Sequence, residues 1–544
     1  EVATPGSPPP APPAPHAPLT LAPASQPASA HAPVPAAASA PRRHIAVIGA
    51  ACRVPGADSL ESFWDNLRSG RCSITEVPRS RWNIAELYRP HYEKGKSISK
   101  WGGFLEGIEA FDPGYFGIPE EDAAHMDPLT RLFLECSDQT LRNAGYAKTD
   151  LWNRRVGTFV GSGTSTYGTR ILVPTRSTAT GLNQNFIGAH VAHVFNFKGP
   201  NMVVDTACSS SLTSIYLACQ SLAAGECELA LAGGVDVLLD EVPYLKLSEA
   251  KALSPDGRCH TFDVKANGFV PGEGVGAILL KPLERALSDG DRILAVIEAC
   301  AMNNDGHTMG LTTPNMQAQQ EVVQQALEKA GVSARTVTYV ETHGTGTMIG
   351  DPIELKGLMN VYRRDTADTQ FCAVGSVKTN VGHLMLAAGI TGFLKVVLSL
   401  QHRLIPPTLH CDEPNPRFAF ESSPFTLPLK AREWVPYQGV RRAGISAFGF
   451  GGTNCHILVR DFDAAAQAGY QASRSPLPPA DFRKKRYWFD KPAPVAPGHA
   501  VPQPVHAPPA SQPRPPLSTG AHNGVRNGAH NGVRNLLVLE DSGP

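Results

Sequence analysis

One cysteine stands where a buried strand gives way to a helix in VDTACSSSLTSIYLACQSL, residues 204–222. Leu212, Ile215, Cys219 and Leu222 recur at helical spacing, and most other faces are apolar, so this helix is expected to be buried. Cys208 then sits at its N-terminus. Free backbone N–H groups and the positive end of the helix dipole favour a thiolate there, with a pKa expected well below the roughly 8.5 of a free thiol. Ser209, Ser210 and Ser211 allow close approach and are suited to capping those N–H groups. A buried cysteine is more often a small hydrophobe than a nucleophile. The strand-to-helix position singles this one out.

Two histidines occupy similar places. His343 ends the strand VTYVET and opens HGTGT, with Asp351 eight residues on. His383 lies in SVKTNVGHLMLAAG, five residues after Lys378, at the start of another buried helix. Most isolated histidines of this kind are structural, but these two sit at strand ends beside glycine-rich turns, where reacting groups are displayed. A helix N-terminus disfavours imidazolium, so His383 is expected to be neutral and able to donate a hydrogen bond to a developing anion. The turn AFGFGGTN (447–454) can aim backbone N–H groups at an oxyanion, though such a turn alone says little.

These groups need elements to position them. The chain has 544 residues, 42% of them hydrophobic, enough for a sizeable core. Lys+Arg and Asp+Glu both number 49, which argues against nucleic acid or an anionic membrane as a partner. Eleven scattered cysteines, with no C-x-x-C pair and no H-E-x-x-H, suit a reducing, cytoplasmic setting and give no metal site. No run spans a bilayer; the best candidate, 384–400, contains Lys395, Gly389, Thr391 and Gly392. Apolar runs at 44–52, 155–163, 229–239, 274–283, 293–302, 337–344, 371–378 and 455–461 read as strands, with helices at 60–67, 129–144 and 318–330. Interleaving of this kind implies an α/β core with some parallel pairing. About 420 continuous residues exceed one ordinary domain. A strand, an active-looking residue and an apolar helix occur at 202–224 and again at 371–400, which suggests internal duplication.

The ends differ in kind. Of the first 41 residues, 26 are Ala or Pro and only Glu1 is charged, the composition of a disordered linker. Residues 493–536 form a second Pro/Ala-rich tract ending in a tandem GAHNGVRN from Gly520 and Gly528, and 537–544 read as the truncated start of a following segment. A start without Met and linkers at both ends are expected of a piece of a multidomain polypeptide.

The ordered set DTACSSSL, VETHGTGTMIGDPIE, GSVKTNVGHLMLAAG and AFGFGGTNCHI closely resembles the ketosynthase (β-ketoacyl synthase) domains of modular polyketide synthases, over residues 42–460. The resemblance implies a thiolase-like α/β fold, a five-layered αβαβα core of two similar halves, in a homodimer. It implies that Cys208 takes an acyl chain from the phosphopantetheine thiol of an acyl carrier protein, in an oxyanion hole of the Cys208 and Phe450 backbone N–H groups. His343 and His383 then stabilise the enolate left by decarboxylation of a malonyl-type extender, with Lys378 as electrostatic support and Asp351 alongside. Thr345 and Thr347 match positions that bond the pantetheine arm. Decarboxylation supplies the carbanion, so the resemblance calls for no metal or redox cofactor. The tail LPPADFRKKRYWFD (477–490) resembles a segment that folds back on this domain, anchored by Tyr487 and Trp488.

Two departures from the family pattern fall beside the acyl pocket it implies: FIGAHVAHVFNFKGP (186–200) lacks the usual Asn-Arg pair, and HLML replaces HLEA. The short link from Asp461 to Leu477 and the lack of a following G-x-S-x-G serine imply an extender loaded by a separate acyltransferase. GADSL (56–60) matches the phosphopantetheine-serine motif of carriers, but no room precedes it for a carrier helix; Asp58 with Glu61 reads instead as a helix cap. Within the fold the alternatives are a non-elongating ketosynthase, which usually loses His343 or its surroundings, and a branching one. A dead dimerisation scaffold would lack Cys208.

Overall fold

The structure, a computed structural model, describes residues 43–467 and 469–490. The tracts at 1–41, 493–536 and 537–544 lie outside the described residues.

The first half contributes strands β1 (Ile45–Arg53), β2 (Val156–Gly161), β3 (Asn201–Val204), β4 (Leu229–Asp236) and β5 (Gly274–Pro282). The second contributes β6 (Ala295–Asn304), β7 (Tyr339–Glu341), β8 (Cys372–Gly375), a short edge strand β9 (Phe425–Thr426), β10 (Arg442–Phe448) and β11 (Thr453–Arg460). The hydrogen-bonded order is β9-β8-β7-β10-β11-β6-β1-β5-β4-β2-β3. In the first half β1 runs antiparallel to β5, β5 antiparallel to β4, β4 parallel to β2 and β2 parallel to β3. In the second, β6, β11, β10, β7 and β8 repeat those directions in the same chain order. A short antiparallel pairing of β1 with β6 joins the halves. The core is therefore the duplicated thiolase-like one expected from 202–224 and 371–400.

Strands covered on both faces read as near-continuous apolar runs, which is why β1, β4 and β5 stand out in the sequence. The outer face of the first half's sheet packs Val156 and Val160 of β2, Leu231 of β4 and Leu279 of β5 on helices α2 (Pro128–Asn143) and α3 (Phe186–Phe195). Its inner face meets α4 (Ser210–Ala224) and α7 (Ala388–His402), whose other sides meet Ala443, Ile445 and Ile457 of the second half. The second half is closed outside by α5 (Met316–Ala330) and α6 (Gly350–Asp365). Five layers, αβαβα, result. The stretch Met385–His402 is long and apolar enough to cross a membrane, but it is the central layer and is mostly buried. Polar bonds tie the two central helices where they begin: Ile390 N–H donates to Ser211 Oγ (3.0 Å). A buried ion pair anchors the second half, Lys395 Nζ to Glu341 Oε2 at 2.8 Å, and Glu341 also accepts from Val377 N–H (2.6 Å).

The helix α1 (Leu60–Arg68) corrects one expectation. Its N-cap is Ser59, which accepts from Ser62 N–H and donates its own N–H to Ser62 Oγ, both at 3.2 Å. Asp58 instead pairs with Arg53 (3.0 Å), because the residue just before the cap points back to the end of β1. The tail runs back over the first half. Leu477 N–H bonds Arg142 O, Tyr487 N–H bonds Glu109 O, and Lys485–Arg486 pair antiparallel with Ala110–Phe111. Trp488 lies under the guanidinium groups of Arg131 and Arg170.

Candidate active site

The turn from β3 to α4 is strained. Ala207, not a glycine, holds φ +54, a left-handed conformation that costs about 1 kcal/mol or more. Asp205 supports it by accepting the Ala207 N–H (2.9 Å). The strain lifts Cys208 out of the strand line just ahead of α4. The serines do not cap the helix as expected. Ser209 Oγ bonds Thr206 O (2.9 Å), and Ser210 Oγ accepts from Thr206 N–H (2.8 Å) and donates to Ala207 O (2.6 Å). Their short hydroxyls reach the turn more readily than the helix N–H groups, so they stitch the turn shut.

The hairpin between β10 and β11 lies against this turn. A Cβ on Gly449 would collide with the Thr206 carbonyl oxygen, so only glycine lets the hairpin approach. Phe450 N–H and the N–H of Cys208 itself are both turned to the thiol, and the Phe450 side chain is exposed. The thiol corrects another expectation. Burial raises its pKa above the ordinary value, outweighing the Phe450 N–H, Lys378 and its own N–H, which pull it down. The helix end alone would lower the pKa, but desolvation is the larger effect here.

His343 leaves the end of β7, and the rings of His343 and His383 stand 5.6 Å apart, nearly perpendicular. His383 follows the helical turn Lys378–Val381 and precedes a 3₁₀ turn, Met385–Ala387, rather than opening α7 directly. Burial and then Lys378 hold both imidazoles well below the usual range, so both are neutral; the cause is desolvation rather than a helix end. Met385 N–H donates to His383 Nδ1 (3.1 Å) and Phe448 N–H to His343 Nδ1 (3.4 Å). Each proton is thereby assigned to Nε2. His383 Nε2 is buried and has no partner.

Lys378 is buried within electrostatic reach of Cys208, His343 and His383. Asp351, at the start of α6, accepts from Phe262 N–H (2.9 Å) and Gly346 N–H (3.1 Å), and burial pushes it up to about 6. Thr345 and Thr347 lie together on the loop leaving His343, their hydroxyls 3.3 Å apart. Sequence reasoning missed Glu354. It accepts from His343 N–H (2.8 Å) and Gly344 N–H (2.9 Å), clamping the turn that carries the histidine. The signal was present: Glu354 is three residues after Asp351, on the same helix face. Among the described residues no group of three or more His, Cys, Asp or Glu is disposed to hold a metal, and all eleven cysteines are free thiols.

Fold and site together define a thiolase-like α/β protein with a cysteine and two neutral histidines in the turns that follow its strands. Residues 42–286 match the β-ketoacyl synthase N-terminal domain and residues 294–412 the C-terminal domain. Polyketide synthase PksL of Bacillus subtilis is 45% identical over 438 residues, 77% of this chain and 10% of the relative. Polyketide synthase ThaG of Burkholderia thailandensis is 47% identical over 440 residues, 80% of this chain and 8% of the relative. The chain thus spans about a tenth of the length of these curated relatives. Among solved structures, the ketosynthase from module 6 of the bacillaene synthase of Bacillus subtilis is 40% identical, with a TM-score of 0.73 over 78% of this chain and 73% of that one. The oxazolomycin ketosynthase domain OzmH KS7 of Streptomyces albus is 38% identical, with a TM-score of 0.74 over 78% and 76%. The chain belongs to the β-ketoacyl synthase family, as a ketosynthase domain of the polyketide synthase kind.

Proposed function

We propose that this domain lengthens a carrier-bound acyl chain by decarboxylative condensation, with Cys208 as nucleophile. The observation that carries the reading is the convergence on one buried thiol of two backbone N–H donors, with two neutral histidines facing each other nearby. In the first step the Cys208 sulfur bonds the thioester carbon of an acyl group on a carrier protein's phosphopantetheine. The oxyanion sits between the Cys208 and Phe450 N–H groups. The old C–S bond breaks, and the pantetheine thiol leaves with the proton that Cys208 gives up. In the second step a malonyl-type thioester on a carrier loses CO₂. The electron pair of the broken C–C bond passes into an enolate, whose oxygen accepts from Nε2–H of His343 and His383. The enolate carbon bonds the Cys208 acyl carbon, and the Cys208 sulfur leaves and takes a proton. The product is a β-ketoacyl thioester two carbons longer.

Thr345 and Thr347 are assigned to the pantetheine arm and Lys378 to holding both histidines neutral. Residues 42–460 act as the catalytic domain and 461–492 as its adapter tail. A homodimer is supported by β3, whose outer edge is unpaired and leaves Met202 exposed. A separate acyltransferase as source of the extender is supported by the direct return of the tail to α2, with no intervening subdomain between Asp461 and Leu477. The retained His343, seated by Glu354, favours elongation over mere transfer. The test is intact-mass and peptide mapping after incubation with an acyl thioester, then with a malonyl-loaded carrier. The expected result is an acyl group on Cys208, followed by a β-ketoacyl chain on the carrier. An acyl group on another residue, or transfer without condensation, overturns the reading.

A further inference from the structure

Resting on that reading of Cys208, we propose that Asp236 is a specificity-determining residue. It selects acyl chains that carry a hydrogen-bond donor, a hydroxyl or an ammonium group, over plain hydrocarbon chains.

The placement follows from the sheet. β2, β3 and β4 are parallel, with Gly161 paired to both Val204 and Gly234. Two residues further along, Gly163, Thr206 and Asp236 come level at the strand ends where the Cys208 turn lies. Every residue of β4 before Asp236 is buried, whereas Asp236 is partly open. Its Oδ2 accepts from Leu386 N–H (3.2 Å), within the HLML stretch. Gly163, level with it, is closely packed: a Cβ there would lie 3.1 Å from Asp205 Oδ2 and 3.2 Å from Leu386 Cδ2, so the glycine keeps a side chain from crowding this end of the sheet. Asp236 is near enough to Cys208 for its charge to act on the thiol.

The mechanism above gives this carboxylate nothing to do. Burial above all, and then Glu273 and Asp205, whose charges share its sign, push it up to about 7 against the Leu386 and Val237 N–H groups, which pull it down. A hydrocarbon chain lying against the partly open side of Asp236 would strip water from the carboxyl group and offer no bond in return. A hydroxyl can bond either the acid or the anion, and an ammonium group pairs with the anion. A site built around such a bond rejects the analogue that lacks it far more strongly than a purely apolar pocket rejects a missing methylene.

The test uses the purified chain with D236L and D236N. Acylation of Cys208 is timed by intact mass from N-acetylcysteamine thioesters of 3-methyl-, 3-hydroxy- and 3-aminobutanoate, and from a second set with the same substituents at the fifth carbon. In at least one set the wild type should take a donor-bearing chain tenfold or more faster than its methyl match. D236L should shift that ratio tenfold or more toward the methyl chain. D236N, which keeps an acceptor oxygen but no charge, should retain a hydroxyl preference and lose an ammonium preference. D236S, too short to reach the same donor, replaces D236L if that variant does not fold. Equal ratios in wild type and variant, or a wild-type preference for the methyl chains, overturn the proposal. Failure of the underlying reading looks different: no chain reaches Cys208 in the wild type at all.

Discussion

The turn after β3 and the turn after β8 hold matching places in the duplicated halves, yet they are built in opposite ways. The first spans residues 205–209, is strained at Ala207 and presents a thiol to backbone donors. The second spans 376–387 and carries its own helical turn, its own buried cation Lys378, and a histidine whose tautomer is set by Met385 N–H. A nucleophile that must meet two N–H groups needs a tight turn, because backbone donors are aimed by backbone geometry. A neutral proton donor needs burial and a partner on its other nitrogen, which takes more chain. On the proposed reading, one strand–turn–helix pattern, repeated in the two halves, serves two roles by changing the length of its turn.

Removing the reacting groups separates the two turns most sharply. Cys208→Ala should abolish acylation and condensation while the fold persists. His343→Ala and His383→Ala should still be acylated at Cys208, since the oxyanion donors are backbone, but should lose condensation on the order of a hundredfold or more. Intact mass and product release on the carrier read the two steps separately. A folded histidine variant that cannot be acylated would show that the histidines act on the thiol, and the division between the turns would fall.

Lys395→Met strikes only the second half. It leaves Glu341 charged and unpaired in the core, which should cost roughly 3–5 kcal/mol in denaturant unfolding. Adding Glu341→Leu should recover part of that, because two apolar groups need no counter-ion; a double variant as unstable as the single would refute the pairing. Ala207→Val strikes only the first. A branched residue at φ +54 should cost about 1–3 kcal/mol and slow acylation, while Ala207→Gly should be tolerated. Equal melting temperatures for the valine and glycine variants would remove the strain from the comparison.

The smallest effect is electrostatic. Asp236 is raised from 3.8 to about 7 in the folded chain. The folded state therefore binds this proton more tightly than the unfolded one. Its stabilising contribution is full below about pH 4 and is lost as pH rises through about 7. Asp236→Asn lacks that dependence, so its melting temperature should gain on the wild type between pH 5 and 8. A constant difference across that range would place the carboxyl in water.

The sequence by itself determined the alternation of strands and helices, because strands buried on both faces must be apolar along their whole length. It suggested the duplication, and it set a cysteine and two histidines in the turns that follow strands, because residue type and local spacing are written in the chain. Other features were decided by the folded backbone. The Ser59 cap and the serines that stitch the Cys208 turn are local bonds whose choice of partner depends on the turn's conformation, while Glu354 under His343 and Asp236 against Leu386 required knowing what lay opposite. Desolvation decides the protonation states, and it is a property of everything packed around a group. That is why the thiol is raised where a helix end alone would lower it, and why burial and Lys378, rather than a dipole, keep the histidines neutral. The chain states which groups are brought to the site; only the packing of its two halves decides what state they are in when they meet.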